Sequence, residues 1–391
     1  MNVLLCLLSA QHVPNLLSVH HIRPDRLVLV QTEEMKRKDV AAHFLEALTL
    51  GGLDYRGRHE IASLAAEDSL ESVRLALESA YDRHPSARWV ANLTGGTKPM
   101  SLAAYLFFKE KGARLVYTSV ARPAEIMDID AGTNETCAHR PSIREFLAGY
   151  GFQTRKSDAA MAQEEDRARQ WWACARQIAR TASPESLLPL SDRDRNTARD
   201  RGWTLAPGQL CHHDQETLHQ IAHTFSLDRD GGTGRLTSHA ARFLTGGWLE
   251  VFFWGLVERH AVALNCWDAR IGLDVRRRGD PTGNDIDVAF MTAHQLAAIE
   301  CKSGSQGHDR DADILYKVEA VIRQFGALRV RSYLATTANN IFDGNAIKAH
   351  IRTRAEIYNC RILTACTIRA LADAPEDVGR VRTALFGQAN P

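Results

Sequence analysis

The sequence lacks several features that would mark common protein classes. Its eight cysteines, Cys6, Cys137, Cys174, Cys211, Cys266, Cys301, Cys360 and Cys366, are scattered and form no CxxC pair. Neither a zinc ribbon nor a thioredoxin-type redox motif is therefore supported. No sign of charge dominates: 48 Lys and Arg stand against 47 Asp and Glu, leaving a formal net charge of +1. Bulk electrostatics thus gives no argument for nucleic acid or membrane, and any basic surface must be local. "VRRRG" (275–279) and "RVRS" (329–332) are the local candidates, and each reads equally well as a solvated charged face. Long apolar runs are missing, with nothing near the roughly 20 residues of a membrane span. The opening "MNVLLCLLSAQH" lacks a basic n-region, and its apolar run is too short for a signal peptide. These absences predict a cytoplasmic protein with reduced thiols. "CHHD" (211–214) offers metal ligands, but without a partner cluster it reads as polar loop.

What is present points to two domains. A chain of 391 residues is too long for one comfortable core. Its 45% hydrophobic and 24% charged residues are ordinary for a globular protein. Residues 1–148 alternate strand-like runs ("VLLCLLS", "RLVLVQT", "HEIASL", "ARWVANL", "ARLVYTSV") with helical segments at 33–48, 68–84 and 98–112. That rhythm predicts an α/β fold with a doubly wound, parallel sheet. Residues 149–235 break it with polar, charged stretches such as "SDRDRNTARDRG", and read as a linker or helical subdomain. From 236 to 391 the order becomes helix (237–260), three strands (269–276, 286–292, 296–302), helix (311–326), strand (329–337), helix (346–359) and strand (361–368).

The third segment carries a constellation suited to phosphodiester chemistry. Asp287 lies in "NDIDV", and Glu300 and Lys302 lie in "IECK", where a strand points both to one face. Glu250 sits among apolar neighbours in "GGWLEVFFW", and a carboxylate there needs a partner such as a cation. Hard carboxylate oxygens suit Mg²⁺ or Mn²⁺. A bound metal activates water and neutralises charge developing on phosphate, and Lys302 can stabilise that charge without competing for the metal. Asp285 shares a face with Asp287; Asp287 is favoured because Val288, Ala289 and Phe290 continue its strand. An isolated ExK would suit a surface hairpin equally well; Glu250, Asp287 and the element order give it context.

This constellation resembles the PD-(D/E)xK nuclease superfamily, with its restriction-endonuclease-like fold, although Ile286 stands where the literal proline would be. The resemblance implies that Asp287 and Glu300 are metal ligands, Lys302 the catalytic lysine and Glu250 the helical glutamate of many members. Tyr316 and Lys317 resemble substrate-side residues of that family.

A second constellation lies in the first segment. "NLTGGTKPM" (92–100) joins a strand to a helix, with Gly95 and Gly96 allowing close backbone approach and the helix offering N–H groups to an anion. Pro99 after Lys98 excludes a Walker A loop, and the lack of GxGxxG disfavours dinucleotides. "LSAQHVPNL" (8–16) follows the first strand, and both loops should open at the C-terminal sheet edge. Together they resemble the CARF domain, the cyclic-oligoadenylate sensor of type III CRISPR systems. The resemblance implies a nucleotide pocket lined by Thr94, Gly95, Gly96, Thr97 and Lys98, with Ser9, Gln11 and Asn15 from the first loop. It also implies a homodimer, in which a symmetric ring meets the same groups from each subunit.

The two halves together predict a metal-dependent endonuclease activated by a cyclic oligoadenylate, cyclic tetra-adenylate by resemblance. Its substrate is DNA or RNA, with phosphate contacts supplied locally by arginines such as Arg276 to Arg278 and Arg323. The rival readings are a nucleotide-sensing transcription regulator with an inert C-terminal half, and a restriction-like defence nuclease under different control.

Overall fold

The computed structural model describes residues 1–119, 122–211, 214–228, 233–304, 330–344 and 346–387. The expected helix at 311–326, with Tyr316, Lys317 and Arg323, lies outside these residues, as do Arg329 and the two histidines of "CHHD". The chain divides into two compact units. The first comprises residues 1–154, 275–283 and 293–295, and the second residues 155–274, 284–292 and 296–391.

The first unit is built on strands β1 (Asn2–Leu7), β2 (Arg26–Gln31), β3 (His59–Ser63), β4 (Arg88–Asn92) and β5 (Arg114–Thr118). They pair in parallel in the order β3-β2-β1-β4-β5, and the short hairpin β6 (Glu125–Asp128) and β7 (Thr133–Thr136) extends the edge in antiparallel fashion. The apolar runs of β1 and β2 are buried on both faces, as a covered parallel sheet requires. On one side Val3, Leu5 and Leu7 pack with Phe107 and Phe108, and on the other Leu4 and Cys6 pack with Phe44 and Leu48.

The expected helix at 33–48 is two helices, Glu33–Arg37 and Val40–Leu50, divided at Asp39, whose φ is 52°. Three other helices matter below: α1 (Val13–Ile22), the helix Lys98–Glu110, and the helix Ile143–Gly149. The hairpin β6–β7, strand β8 (Phe152–Thr154) and the helix Ile143–Gly149 were not marked by the alternating pattern. β8 pairs with residues 275–277, taken from a distant part of the chain.

The second unit carries a sheet ordered β17-β14-β13-β12-β11, from β11 (Cys266–Arg277), β12 (Gly283–Thr292), β13 (Gln295–Lys302), β14 (Val330–Thr336) and β17 (Cys360–Leu363). β13, β14 and β17 are parallel. Smaller ladders join β9 (Trp203–Leu205) to β10 (Gly234–Leu236), and β15 (Phe342–Asp343) to β16 (Ala346–Ile347). Residues 155–236 belong to this unit's core: Trp172, Ile178, Leu188 and Ile221 are buried with Phe252, Phe253 and Trp254. The long helix Asp158–Thr181 packs on the helix Trp248–Arg259. Gly255 makes this packing close, because a Cβ there would lie 1.8 Å from Cδ1 of Trp172. Trp172 Nε1 donates to the Phe252 carbonyl at 3.3 Å. The expected strand at 361–368 stops at Leu363, and Ala365–Asp373 and Val378–Phe386 are helices.

Candidate functional site

In the second unit the expected helix at 237–260 is interrupted. Ser238–Arg242 is α-helical, Phe243–Gly247 forms a π-type turn, and the α-helix resumes at Trp248. Gly246 has a φ of 141°, which an L side chain rarely adopts, and a Cβ there would lie 2.9 Å from Ser303 Oγ. Widened turns of this kind recur at functional sites. Here the turn precedes Glu250 by one helical turn and exposes Thr245 to Arg199. The guanidinium Nε of Arg199 donates to Thr245 Oγ1 at 2.9 Å and Nη2 donates to the Thr245 carbonyl at 2.9 Å.

A cavity of about 700 Å³ opens at this place. Glu250, Asp285, Asp287 and Lys302 line it, together with Arg199 and Ser303. Asp287 Oδ2 accepts from the backbone N–H of Cys301 at 2.7 Å, which fixes the carboxylate against β13. Lys302 Nζ lies 3.0 Å from Glu300 Oε1, so the two share a face as strand alternation requires. Glu300 is buried beside the cavity and not among its lining residues. Burial pushes the Cys301 thiol well above its ordinary pKa, and Asp287, Glu250 and Glu300 reinforce the shift while Lys302 opposes it. The same three carboxylates thus act on one point of β13. Their oxygens are not all within 4.8 Å of one another. Three like charges of this kind suit a divalent cation, whose oxygen ligands they would be. Asp285 is exposed and Asp287 half-buried, and both reach the cavity.

Sequence reasoning did not single out Lys156, Arg199 or Ser303. Arg199 lies in the charged stretch "SDRDRNTARDRG", but nothing in its pattern distinguishes it from its neighbouring arginines. Burial lowers its pKa, with Arg195 and Arg242 adding to the effect and Glu250 opposing it. Lys156 is held by both oxygens of Glu164, at 2.9 and 2.8 Å, and by the Gly272 carbonyl at 2.6 Å.

In the first unit β1 and β4 are neighbours, and the loops that leave them meet at the carboxyl edge of the sheet, where strand order reverses. Gly95 lets them touch, since a Cβ there would lie 1.8 Å from the Leu7 carbonyl oxygen. Gly96 has a φ of 72°. Asn15 is buried and donates from Nδ2 to that Leu7 carbonyl at 2.9 Å. Asn92 donates to Asn15 Oδ1 at 2.8 Å, and its own Oδ1 accepts from Thr94 N at 3.1 Å and Thr94 Oγ1 at 2.7 Å. Thr97 caps the helix Lys98–Glu110, accepting from Met100 N at 3.4 Å. Ser9 and Gln11 brace each other through Ser9 Oγ, and Gln11 Oε1 accepts from Tyr150 at 3.2 Å. Lys98 is exposed. The structure therefore gathers all eight residues on the two loops or the cap beside them. Asn15 is held inside as the brace, and Lys98 stands out in solvent.

The two sites place a pair of touching loops on an α/β domain and a carboxylate-lined cavity on a second domain of the same chain. Residues 3–146 match the family model described as the Card1 CARF domain, and residues 237–363 match the model described as Card1-like, endonuclease domain. The chain thus joins a Card1 CARF domain to a Card1-like endonuclease domain. No curated protein matches its sequence. Among solved structures it is similar to Can2 from Sulfobacillus thermosulfidooxidans in complex with cyclic tetra-adenylate, at 17% identity and a TM-score of 0.69 over 98% of this chain and 99% of that one. It is also similar to protein VC1899 from Vibrio cholerae, at 16% identity and a TM-score of 0.77 over 99% of each chain. A type III CRISPR defence DNA nuclease activated by cyclic oligoadenylate matches at 18% identity and a TM-score of 0.51, over 85% of this chain and 45% of that one. At these identities the likeness is one of fold. Among the described residues no helix is long and apolar enough to cross a membrane.

Proposed function

We propose that this endonuclease is a metal-dependent, homodimeric effector of type III CRISPR defence, switched on when a cyclic oligoadenylate binds its CARF domain. The observation that carries the nuclease half is the convergence of Glu250, Asp287 and Lys302 on one cavity, with Glu300 paired to Lys302 beside it. Asp287, Glu300 and Glu250 would hold Mg²⁺ or Mn²⁺, which supplies an activated water and offsets charge on the phosphate. Asp287 is pre-oriented by the Cys301 N–H, which donates to its Oδ2 at 2.7 Å. Lys302 stands where it stabilises negative charge on the phosphate. Arg199, anchored on Thr245, adds a second cation to the cavity lining.

In the sensor half, Thr94, Gly95, Gly96, Thr97 and Lys98 form the loop that meets the ring, with Ser9 and Gln11 opposite and Asn15 bracing both. Cyclic tetra-adenylate is the ring supported by the likeness to Can2, whose structure contains it. A two-fold pair of such sites presents identical groups to a ring of repeated nucleotides. The ring then favours the active arrangement by as much as it binds that arrangement better.

The test is cleavage of plasmid, single-stranded DNA and single-stranded RNA with Mg²⁺ or Mn²⁺, with and without cyclic tetra-adenylate. Cleavage that needs both ring and metal is the expected result, and it names the substrate. Cleavage without ring would remove the switch, and ring binding without cleavage would favour the regulator.

A further inference from the structure

The sensor domain contains a buried cluster that neither ring recognition nor phosphodiester hydrolysis uses. His20 lies in the last turn of α1, His139 in the segment after β7, and Glu145 in the first turn of the helix Ile143–Gly149. Glu145 Oε2 is committed to the Ser142 N–H at 2.7 Å. Its Oε1 faces both imidazoles, 2.8 Å from His139 Nε2 and 3.6 Å from His20 Nε2. The longer distance is no hydrogen bond. His20 Nε2 therefore has no hydrogen-bond partner, although its side chain is only 4% exposed. A buried polar atom left in this way calls for an explanation, and an ion is one. The rings are stacked, with centroids 3.4 Å apart and planes 3° from parallel.

We infer that His20, His139 and Glu145 form a site for a four-coordinate transition ion of the zinc type, clamping α1 to the start of the helix Ile143–Gly149. The three ligand atoms lie within 4.8 Å of one another, and no other such group of three occurs among the described residues. Tetrahedral bonds of about 2.0–2.1 Å place ligand atoms roughly 3.4 Å apart, near the observed 2.8 and 3.6 Å, and the parallel rings must turn about their Cβ–Cγ bonds for both nitrogens to aim at one ion. Two imidazoles and one carboxylate suit zinc, whereas magnesium prefers an all-oxygen set. A water would complete the shell.

One further observation supports the site. Gly51 leaves the space open, because a Cβ there would lie 2.2 Å from Glu145 Oε1 and 2.7 Å from His20 Nε2. His139 is the most exposed of the three. The clamp would hold α1, which begins directly after the first ring-facing loop, so it would steady that loop without touching the ring.

The test uses the full chain with the nuclease site disabled by Asp287→Asn, stripped with chelator, incubated with Zn²⁺ and desalted. Metal analysis should find one more equivalent of zinc in Asp287→Asn than in Asp287→Asn/His20→Asn. Zinc should raise the melting temperature of the first by about 5 °C, as saturation well above Kd would, and leave the second unmoved. Co²⁺ should give four-coordinate visible absorption only in the first. His139→Gln, at a more exposed position, replaces His20→Asn if that variant does not fold. Gly51→Ala removes no ligand and should also abolish uptake by filling the space. Equal zinc content with and without these ligands, or no zinc in either protein, would overturn the inference.

Discussion

Replacing Gly95 by alanine tests whether the contact between the β1 and β4 loops governs the switch. The new Cβ would lie 1.8 Å from the Leu7 carbonyl oxygen and 3.2 Å from Asn15 Nδ2. Both the clashing oxygen and the residue carrying the Cβ are main chain, so no rotamer change relieves the overlap. The loops must separate, and the buried Asn15–Leu7 hydrogen bond of 2.9 Å is strained with them. Overpacking and a compromised buried hydrogen bond together cost about 2–3 kcal/mol. If that cost falls on the ring-binding arrangement, the half-activating ring concentration rises roughly 30- to 150-fold at 1.4 kcal/mol per tenfold.

Gly96→Ala is the internal comparison. Its φ of 72° penalises a side chain, but the nearest atom is the flexible end of Met100 at 3.0 Å. About 1–2 kcal/mol, or a shift of roughly 5- to 30-fold, is expected there. The assay is a titration of cyclic tetra-adenylate against cleavage rate, with thermal melts to confirm folding. A Gly95→Ala protein that melts normally and responds at the wild-type ring concentration would refute the role given to these loops.

Lys302→Ala should lower cleavage by about 10²-fold or more while calorimetry finds ring binding unchanged; wild-type cleavage by this variant would remove the lysine from the chemistry. Lys98→Ala should do the reverse, raising the half-activating ring concentration roughly two- to five-fold, the weight of one exposed cation. Chelation with EDTA should stop cleavage, and Mg²⁺ or Mn²⁺ should restore it; activity that survives exhaustive chelation would contradict the carboxylate assignment. Gly255→Ala should destabilise the second unit by about 2–3 kcal/mol, because its Cβ meets Trp172 at 1.8 Å, and an unchanged urea midpoint would argue against that packing.

The parts of this molecule that were legible in its sequence share one property: their chemistry is local. β1, β2 and β4 are apolar runs bounded by turn residues, and "NLTGGTKPM" is a strand–turn–helix signal in nine residues. Asp287, Glu300 and Lys302 follow from strand alternation, which the Lys302–Glu300 pair of 3.0 Å respects. What stayed hidden depends on distant contacts. Residues 155–236 look like linker because their mean pattern is polar, yet Trp172, Ile178 and Ile221 are core residues whose partners lie at 243–257. Arg199 gains its place only from Thr245, forty-six residues on. β8 is three residues long and finds its partner only at 275–277. The cluster of His20, His139 and Glu145 escapes any spacing rule, because its members are brought together only by the packing of the first unit. Glu250 was legible as an anomaly, a charge in an apolar helix; the turn that aims it was not.

That turn has a consequence for how the second unit can vary. A residue advances an α-helix by about 100°, so one extra residue in the turn puts the two helical segments out of phase. The segment before it answers to the helix Asp192–Arg201, through Arg242 Nε on the Arg199 carbonyl at 3.0 Å. The segment after it answers to Trp172 and the helix Asp158–Thr181. The turn works as a gear change between two packing surfaces that one uninterrupted helix could not satisfy together. Substitutions on either side can then drift independently, provided that residue 246 remains glycine and the count of residues between Arg242 and Glu250 is kept. A single deletion there would leave every side chain of the proposed catalytic set in the protein and point one of them the wrong way.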